Sequence, residues 1–592
     1  MLSAERRLYY FNRRFSAIRS ISLTYLKVTC RILIVKKISI KDGMKMKKRV
    51  GQFLFDEIAK HGVDKIFGVP GDFNLAFLDD IESHETLQWV GNTNELNASY
   101  AADGYARING LAAMVTTFGV GELSATNGIA GSYAENVPVI AITGGPTTVV
   151  EKAKKYVHHS LGTGIFDSYR KMFAHITEAQ TYLTTDNALT EVPRIIQVAI
   201  EEKRPVHVHL PIDTAMKEIE VPDQIEYPEV KASEDLSSII EKVTDTLQNA
   251  KQPTLIVGHQ INSFGLQDQV QQLAERLNLP VAQLSLGKGA FNEESPQYMG
   301  IFDGNIADEA IRDYVNGSDV VITLGAKLTD SATAGFSQEF KDDVVMILNH
   351  RQVRIGAFES TSPALPEIVE ALGQIDYHYE GQFPQFVWPK AENVDLNDEP
   401  LTQENYFKLM QGFLKKGDVV LAEQGTSFFG SYSLGIEDST TFIGQPLWGS
   451  IGYTLPSTLG TTLAAPERRN ILLIGDGSLQ LTVQEISTMI REKMNPVIFV
   501  INNDGYTVER KIHGEKAHYN DIQMWDYKML PAVFGGQDIP TYDVKSTKAL
   551  KETMDAIEQN PNTMHFVEVH MDVMDAPEKL NIISKAFANQ NK

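Results

Sequence analysis

Two stretches of the chain, Ile471-Leu-Leu-Ile-Gly-Asp-Gly-Ser478 and Pro496-Val-Ile-Phe-Val-Ile-Asn-Asn-Asp-Gly505, decide the fold class. Each is a short apolar run that ends in a group of small and polar residues. Such runs are typical of parallel strands buried on both faces, and the 24 residues between Gly477 and Asn502 leave room for one crossover helix. The pair therefore predicts a βαβ unit with both polar groups at the carboxyl edge of a parallel sheet.

The polar groups at this edge fit a diphosphate and its metal ion. In open α/β sheets ligands bind at the carboxyl edge, and glycines at a helix start let backbone N–H groups approach a phosphate. Mg²⁺ prefers hard oxygen ligands, and Asp476 offers a carboxylate, Asn503 an amide oxygen and Gly505 a backbone carbonyl. Either group alone is an ordinary turn signal, but the two together predict a magnesium and diphosphate site.

The alternation of amphipathic helices with apolar strands begins at Gly51 and recurs in three groups. Helices such as Glu191–Glu201 and Val483–Arg491 lie between the strands, and two proline-containing stretches, 213–238 and 373–402, are interpreted as linkers. The fold class predicted is therefore α/β, with three doubly wound parallel-sheet domains. The expected strands are Lys65–Val69, Ala112–Phe118, Val137–Thr143, Pro205–Leu210, Thr254–Gly258, Pro280–Ser285, Asp319–Leu324, Val344–Leu348, Asp418–Ala422, Asn470–Ile474, Pro496–Ile501 and His565–Val569.

Composition excludes several classes of protein. The net charge is −22, and after residue 50 the chain holds 40 basic against 74 acidic residues, so phosphate backbones are repelled and we expect no nucleic-acid partner. No run of 18 or more apolar residues predicts a membrane span. Cys30 is the single cysteine, which excludes a disulfide framework and favours a reducing, cytoplasmic location.

The first 46 residues differ from the rest because they are basic and nearly free of acids. Their composition resembles a mitochondrial transit peptide. The other interpretation, which we favour, is an upstream read-through from a misassigned start, because globular patterning begins directly after Met44 and Met46. Either way, we expect residues 1–46 to lie outside the fold.

Four further stretches resemble one family of enzymes. They are Phe67-Gly-Val-Pro-Gly-Asp-Phe-Asn74, Asn94-Glu-Leu-Asn-Ala-Ser-Tyr-Ala-Ala-Asp-Gly-Tyr-Ala-Arg107, Thr117-Phe-Gly-Val-Gly-Glu-Leu-Ser124 and the segment 475–514. From Gly51 onward the chain resembles the thiamine-diphosphate-dependent pyruvate, indolepyruvate and branched-chain 2-oxo acid decarboxylases, above all the bacterial alpha-keto-acid decarboxylases. The resemblance implies an enzyme that uses thiamine diphosphate and Mg²⁺ to convert 2-oxo acids into aldehydes and CO₂.

The family's organisation is implied as well. Residues 47–225 would form the pyrimidine-binding domain, 235–372 the central domain, 373–402 a linker, 403–575 the diphosphate-binding domain and 576–592 a closing helix. Glu95 and Asp476 then belong to different domains, yet in the family they hold opposite ends of one cofactor from different subunits. We therefore expect a homodimer or homotetramer with active sites at the subunit interface.

The resemblance also implies cofactor contacts. In the family the residue at Glu95 hydrogen-bonds the aminopyrimidine ring, and the residue at Ile451 bends the cofactor so that its amino group reaches the reactive carbon. Taken alone, Glu95 is an acid in the first turn of a helix, where the helix dipole stabilises negative charge. The other cofactor-binding residues implied are Thr426, Ser427, Gly449, Asp476, Gly477, Ser478, Asn503, Gly505 and Tyr506.

Four ionisable residues, Asp72, His158, His159 and Glu509, match the catalytic groups of the family. Taken alone, Asp72 is a turn residue and Glu509 a solvated helix charge. Adjacent histidines on an extended segment point to opposite faces, so we expect no shared metal ion there. The substrate pocket implied is Gln424, Phe428, Val508, Ile512, Ile583 and Phe587, and its Gln424-Gly-Thr-Ser-Phe-Phe429 segment favours branched-chain or aromatic 2-oxo acids, with indolepyruvate and pyruvate as further candidates.

Other functions compete with decarboxylation. A carboligase such as acetolactate synthase shares the cofactor, but His158, His159 and Glu509 argue against it. A non-catalytic thiamine-diphosphate sensor would have lost Asp72, Glu95 or Glu509, and all are present. A nicotinamide enzyme is disfavoured because Gly119-Val-Gly121 lacks the third glycine of the dinucleotide fingerprint.

Overall fold

The computed structural model describes residues 39–40, 45–227, 233–389 and 394–590. Cys30, most of the basic extension and the last two residues of the expected closing helix lie outside the described residues. A small unit, described at 39–40, 45–46 and 220–227, contains one antiparallel pair with Ser39 opposite Glu226. The second unit, described at 47–219, 233–389 and 394–590, holds the three sheets.

The described strands are β1 (Ser39–Ile40), β2 (Lys45–Arg49), β3 (Lys65–Gly68), β4 (Gln88–Gly91), β5 (Ala112–Thr117), β6 (Val139–Gly145), β7 (Ala179–Tyr182), β8 (Val206–Pro211), β9 (Glu218–Pro222), β10 (Ile225–Glu226), β11 (Pro253–Val257), β12 (Val281–Gln283), β13 (Tyr298–Ile301), β14 (Val320–Leu324), β15 (Val345–Asn349), β16 (Gln352–Ile355), β17 (Phe358–Ser360), β18 (Val419–Ala422), β19 (Thr441–Ile443), β20 (Asn470–Gly475), β21 (Val497–Asn502), β22 (Thr541–Val544) and β23 (His565–His570).

The described α-helices are α1 (Val50–Lys60), α2 (Leu75–Glu82), α3 (Glu95–Asn109), α4 (Val120–Ala134), α5 (Thr148–Lys152), α6 (Ser168–Phe173), α7 (Ala188–Glu202), α8 (Ile212–Ala215), α9 (Leu236–Asn249), α10 (His259–Phe264), α11 (Gln267–Leu277), α12 (Glu309–Asn316), α13 (Leu365–Leu372), α14 (Gln403–Phe413), α15 (Thr426–Ser431), α16 (Thr454–Ala464), α17 (Asp476–Thr482), α18 (Glu485–Arg491), α19 (Thr507–Ile512), α20 (Leu530–Val533), α21 (Thr547–Gln559) and α22 (Glu578–Gln590).

Three sheets form the layers of the second unit. The first, in the order β4-β3-β5-β6-β8-β7, and the third, in the order β19-β18-β20-β21-β23-β22, are parallel throughout. The central sheet, β13-β12-β11-β14-β15-β16-β17, is parallel up to β15 and ends in two antiparallel strands. The predicted α/β class with three parallel-sheet domains is confirmed, and the antiparallel edge is an addition to it.

Burial explains why the apolar runs form strands. Every residue of β5, β6, β8, β11 and β14 is buried, which matches runs covered by helices on both faces. The predicted linker at 373–402 contains no helix or strand in its described part, residues 373–389 and 394–402. The predicted linker at 213–238 differs, because it holds β9 and β10 and the ends of α8 and α9.

Helices α3 and α16 cross at close range and join the first sheet domain to the third. A Cβ added to Gly104 would lie 2.2 Å from the carbonyl oxygen of Ser457, and one added to Gly460 would lie 1.9 Å from that of Ala101. Glycine at both crossing points therefore lets the two backbones touch. This contact packs helix α3 of the first sheet domain, which begins at Glu95, directly on helix α16 of the third.

Each helix in the described ranges is too short or too polar to cross a lipid bilayer.

Candidate active site

Asp476 joins the two motifs that predicted the fold. It follows β20 directly and begins α17, and its side chain is buried. Its carboxylate accepts hydrogen bonds from the backbone N–H of Gly477 at 2.7 Å and of Gly505 at 3.1 Å. Burial raises the pKa of Asp476 to about 6, against the lowering effect of the backbone N–H groups around it. The GDG and NNDG groups thus meet at one carboxylate, as their places on adjacent strands predicted.

The loop after β21 brings the rest of this group together. Gly505 has φ +112°, and a Cβ there would lie 2.4 Å from the carbonyl oxygen of Asn520, so this backbone position needs glycine. The ring of Tyr506 covers Gly477, where a Cβ would lie 2.6 Å from the ring. Asn503 is buried beside them, and Ser478 is buried on α17. The carboxylate, amide and carbonyl oxygens here are the donor set that Mg²⁺ prefers, so the residues fit the ion.

The segments around Gly425, Gly449 and Gly475 offer open space and a hydroxyl group without a partner. The positions that a Cβ would occupy at Gly425, Gly449 and Gly475 have no atom within 4 Å, so backbone is open to a ligand there. The buried hydroxyl of Ser427 has no hydrogen-bond partner among the described residues. Thr426 is buried beside it, and Ile451 is half-buried. Open glycines beside an orphaned buried hydroxyl fit a large polar cofactor.

Glu95 begins α3 with its carboxylate free. The N-cap residue Asn94 accepts a hydrogen bond from the backbone N–H of Asn97 at 2.8 Å, which fixes the first turn. The Glu95 carboxylate packs on Gly121, where a Cβ would lie 2.9 Å from its Oε1 atom. No residue in the described ranges hydrogen-bonds or ion-pairs this carboxylate. A half-buried, unpaired carboxylate on a capped helix is available for a ligand.

Asp72, His158 and His159 form one cluster. The Nε2 atom of His158 lies 2.7 Å from Asp72 Oδ2, and that of His159 lies 3.7 Å from Asp72 Oδ1. Phe73 stacks on the ring of His158, with ring centroids 4.9 Å apart. The prediction that the two imidazoles point to opposite faces is wrong, because they lie in a turn with φ +61° at His159 rather than on an extended segment.

Helix α6 and the residue that precedes helix α4 hold this turn in place. The hydroxyl of Tyr169 donates to the carbonyl oxygen of His159 at 3.3 Å. Gly119 has φ +67°, and a Cβ there would lie 1.9 Å from the same oxygen. The three ligand-type atoms of Asp72, His158 and His159 lie within 4.8 Å of one another, so an acid and two bases face one small volume.

Glu509 makes no direct polar contact with that cluster in the described chain. It is on α19, and no hydrogen bond or ion pair joins it to Asp72, His158 or His159 among the described residues. Burial by the surrounding protein raises its pKa above the ordinary value. The raised pKa favours the protonated acid, which is the form that can donate a proton.

Most of the predicted substrate pocket forms one apolar cluster. Phe428 and Ile583 are buried in it, and Val508 and Phe587 pack against it. Helix α19, which carries Val508 and Ile512, packs on the C-terminal helix α22. Gln424 follows β18 at the carboxyl edge of the third sheet, with its Oε1 atom buried and unpaired among the described residues.

Sequence reasoning missed Glu423, although the signal that found Asp476 applies to it. Glu423 follows β18 as Asp476 follows β20, at the same sheet edge. Its carboxylate accepts from the backbone N–H and the hydroxyl of Thr454 at 3.1 and 2.7 Å and from the N–H of Gln424 at 3.0 Å. Glu423 thereby holds the start of α16 and the end of the loop that carries Ile451.

Comparisons with known proteins agree with this geometry. The models of the thiamine pyrophosphate enzyme N-terminal TPP binding domain, central domain and C-terminal TPP binding domain match residues 48–168, 240–371 and 425–569. The fold and the site thus define a thiamine pyrophosphate enzyme.

Curated relatives narrow the class. Proteins named alpha-keto-acid decarboxylase from Mycobacterium avium and Mycobacterium tuberculosis are each 40% identical to the chain, over 90% and 91% of it and 95% and 97% of the relatives. A protein of the same name from Mycobacterium leprae is 38% identical over 92% of the chain and 96% of the relative. The chain belongs to the thiamine-diphosphate-dependent 2-oxo acid decarboxylase family. The family and the enzyme class predicted from the sequence are confirmed.

Proposed function

We propose that the chain decarboxylates branched-chain or aromatic 2-oxo acids to aldehydes, with indolepyruvate and pyruvate as further substrates. The observation that carries this proposal is the cluster of Asp72, His158 and His159. An acid and two bases within 4.8 Å can move protons at a substrate, which aldehyde release requires.

Asp476, Asn503 and Gly505 hold Mg²⁺ in this proposal, and the backbone N–H groups at the start of α17 hold the diphosphate. The support is the donor set around Asp476 and the open backbone at Gly475. When bound, thiamine diphosphate supplies an electron sink for the electrons released as CO₂ leaves.

Glu95 exchanges a proton through its free carboxylate at the start of α3. The carboxylate faces Gly121, and this glycine keeps the approach to it open. Ile451, Gly449, Thr426 and Ser427 contact the cofactor from the third domain. Glu423 keeps their loop in place through its hydrogen bonds to Thr454.

Asp72 and His158 share one proton through their 2.7 Å hydrogen bond, so that His158 can pass it toward the substrate. Glu509 is a second group that can exchange a proton, and burial raises the pKa of its carboxyl above the ordinary value. The stacked ring of Phe73 limits the rotation of His158 and keeps it oriented. Together these groups supply the protonation steps of the reaction.

The substrate side chain lies against Phe428, Val508, Ile583 and Phe587, with Gln424 and Ile512 at the margin. An apolar pocket of this kind suits branched and aromatic side chains and solvates a carboxylate poorly, which favours its loss as CO₂.

The active form is a homodimer or homotetramer with sites between subunits, and we place it in the cytoplasm. The support for the assembly is apolar surface near the site, since Val120, Tyr156, Leu161 and Ile165 are each more than half exposed. Such side chains around Asp72 and His158 are suited to a partner subunit.

A substrate panel tests the proposal. Purified protein with Mg²⁺ and thiamine diphosphate is offered pyruvate, 2-oxoisovalerate, phenylpyruvate and indolepyruvate, with aldehyde measured through coupled alcohol dehydrogenase. We expect the largest kcat/KM for 2-oxoisovalerate or phenylpyruvate. Formation of acetolactate from pyruvate without aldehyde from any of the four would contradict the proposal.

A further inference from the structure

A second cavity, of about 380 Å³, lies where the three α/β domains of the second unit meet. Lys203 from the first domain, His259 and Lys288 from the central domain, and Phe428 and Arg468 from the third domain line it. Not one of its lining residues in the described chain is an aspartate or glutamate. This is unusual in a protein with 76 acidic and 54 basic residues, and every charged side chain of the lining is therefore a cation.

Two of the lining cations lack a counter-charge in direct contact. Lys203 makes no hydrogen bond or ion pair with any residue in the described ranges, and burial alone lowers its pKa. Arg468 donates only to neutral oxygens, among them the carbonyls of Gly417 and Ser439. By contrast, Lys288 is paired with Glu293 at 2.8 Å. Lys203 and Arg468 therefore hold charge that an anion in the cavity would neutralise.

A buried histidine completes the lining. His259 is 4% exposed, and its Nε2 atom lies 3.2 Å from Asn136 Oδ1. Gln260 donates to the same Asn136 oxygen at 3.3 Å, so that oxygen is an acceptor and His259 Nε2 carries the hydrogen. The Nδ1 atom is then a lone-pair acceptor, and it has no partner among the described residues. The imidazole that lines the cavity is therefore neutral and adds no charge of its own.

We propose that this cavity binds a small anion with an apolar ring, whose carboxylate or phosphate oxygens contact Lys203 and Arg468. The ring of the ligand lies against apolar lining residues such as Phe264 and Phe442. The volume fits one small molecule. The inference goes beyond the proposed function, because Phe428 is the one lining residue that the proposed active site also uses.

Calorimetric titration of the holoenzyme tests the site. The probes are 4-hydroxybenzoate and phenyl phosphate, with benzyl alcohol as the neutral probe. We expect one anion bound per chain, and Lys203→Gln weakens it about tenfold or more because a charge-assisted contact is lost. Lys203→Arg, which keeps the charge, should stay within about threefold of the parent protein.

Lys493→Gln is the matched control. Lys493 also lies after the end of a helix and has a positive φ, +55° compared with +49° at Lys203, but it does not line the cavity. It should bind the probes as the parent protein does. Binding of phenyl phosphate alone identifies a phosphate ligand, and binding of 4-hydroxybenzoate alone a carboxylate. Undiminished binding by Lys203→Gln, equal binding of benzyl alcohol, or no binding of either anion would overturn the proposal.

Discussion

Among single residues, Glu95 is the most direct test of the proposed chemistry. We expect Glu95→Gln to lower kcat for aldehyde formation by about 10² to 10⁴-fold, because a positioned acid–base group is lost while the side chain keeps its size. The fold should survive, since the Glu95 carboxylate makes no hydrogen bond within the described chain. Coupled aldehyde assay and far-ultraviolet circular dichroism measure the two effects.

The exposed Glu85→Gln, which lies outside the proposed site, is the control and should keep parental turnover. Parental turnover by Glu95→Gln would remove Glu95 from the mechanism.

Glu423 should make stability depend on pH. Burial raises its pKa to about 7 from an ordinary 4.5, so the folded chain holds this proton more tightly than the unfolded chain. Its contribution to the free energy of unfolding is therefore full below pH 4.5 and declines by about 3 kcal/mol as pH rises to 7. Glu423→Gln stays neutral and lacks this decline.

The measurement is the thermal unfolding midpoint of parent and Glu423→Gln at pH 5 and at pH 8. The parent's midpoint should fall relative to that of Glu423→Gln at the higher pH. A difference that stays constant or changes in the opposite direction would show that Glu423 does not titrate in this range.

Individual residues also show which parts of the site could be predicted from the sequence and which could not. Asp476 was predictable because its place at a strand end fixes its surroundings. The imidazoles of His158 and His159 were misplaced, because their turn depends on Gly119, 40 positions earlier in the chain, and on Tyr169, which both contact the carbonyl oxygen of His159. Local patterns carry no information about such contacts.

At the scale of elements, the strands that the sequence revealed are the ones buried on both faces. Each of the twelve expected strands matches one in the structure within two residues at its ends. Edge strands were missed, among them β4, β7 and β22, and each has exposed or half-buried residues. A strand with one covered face lacks the continuous apolar run that identifies a central strand.

Comparing the N-cap of α3 with a cap elsewhere in the chain distinguishes an effect on activity from an effect on stability. Asn94→Ala should cost about 1 kcal/mol of stability and also lower kcat, because the first turn carries Glu95. Ser546→Ala removes a comparable cap, on α21, where Ser546 accepts from Ala549. It should lower the thermal midpoint by a similar amount at parental kcat. Equal kcat in the two variants would show that the cap does not position Glu95.

At the scale of the whole molecule, buried carboxylates tie the first domain to the third. Glu485 of α18 accepts from Asn92 at 2.8 Å, Thr93 at 2.6 Å and Asn97 at 2.9 Å, all near the start of α3. Glu135 of the first domain accepts from the backbone N–H of Trp448 at 3.3 Å. Hydrogen-bond partners some 390 positions apart cannot be predicted from the local sequence pattern. Sequence analysis therefore predicted the domains but not the contacts between them.

Within the first domain, a series of contacts links Glu95 to Asp72. Glu95 packs on Gly121 in the first turn of α4, and Gly119, which precedes that helix, contacts His159 beside Asp72. Asp476 belongs to the third domain, and no hydrogen bond or ion pair links it to Glu95 in the described chain. If sites form between subunits, Glu95 and Asp72 come from one chain and Asp476 from the other.

Co-expression of two inactive variants tests this arrangement. Glu95→Gln and Asp476→Asn together should restore about one quarter of parental activity, because random pairing gives one site in four with both residues intact. Glu95→Gln with Asp72→Asn is the matched pair and should restore none, since both changes affect the same half of every site. Aldehyde formation by the whole pool of chains, purified through one tag that both variants carry, measures the result. No restoration by the first pair would mean that Glu95 and Asp476 act within one chain.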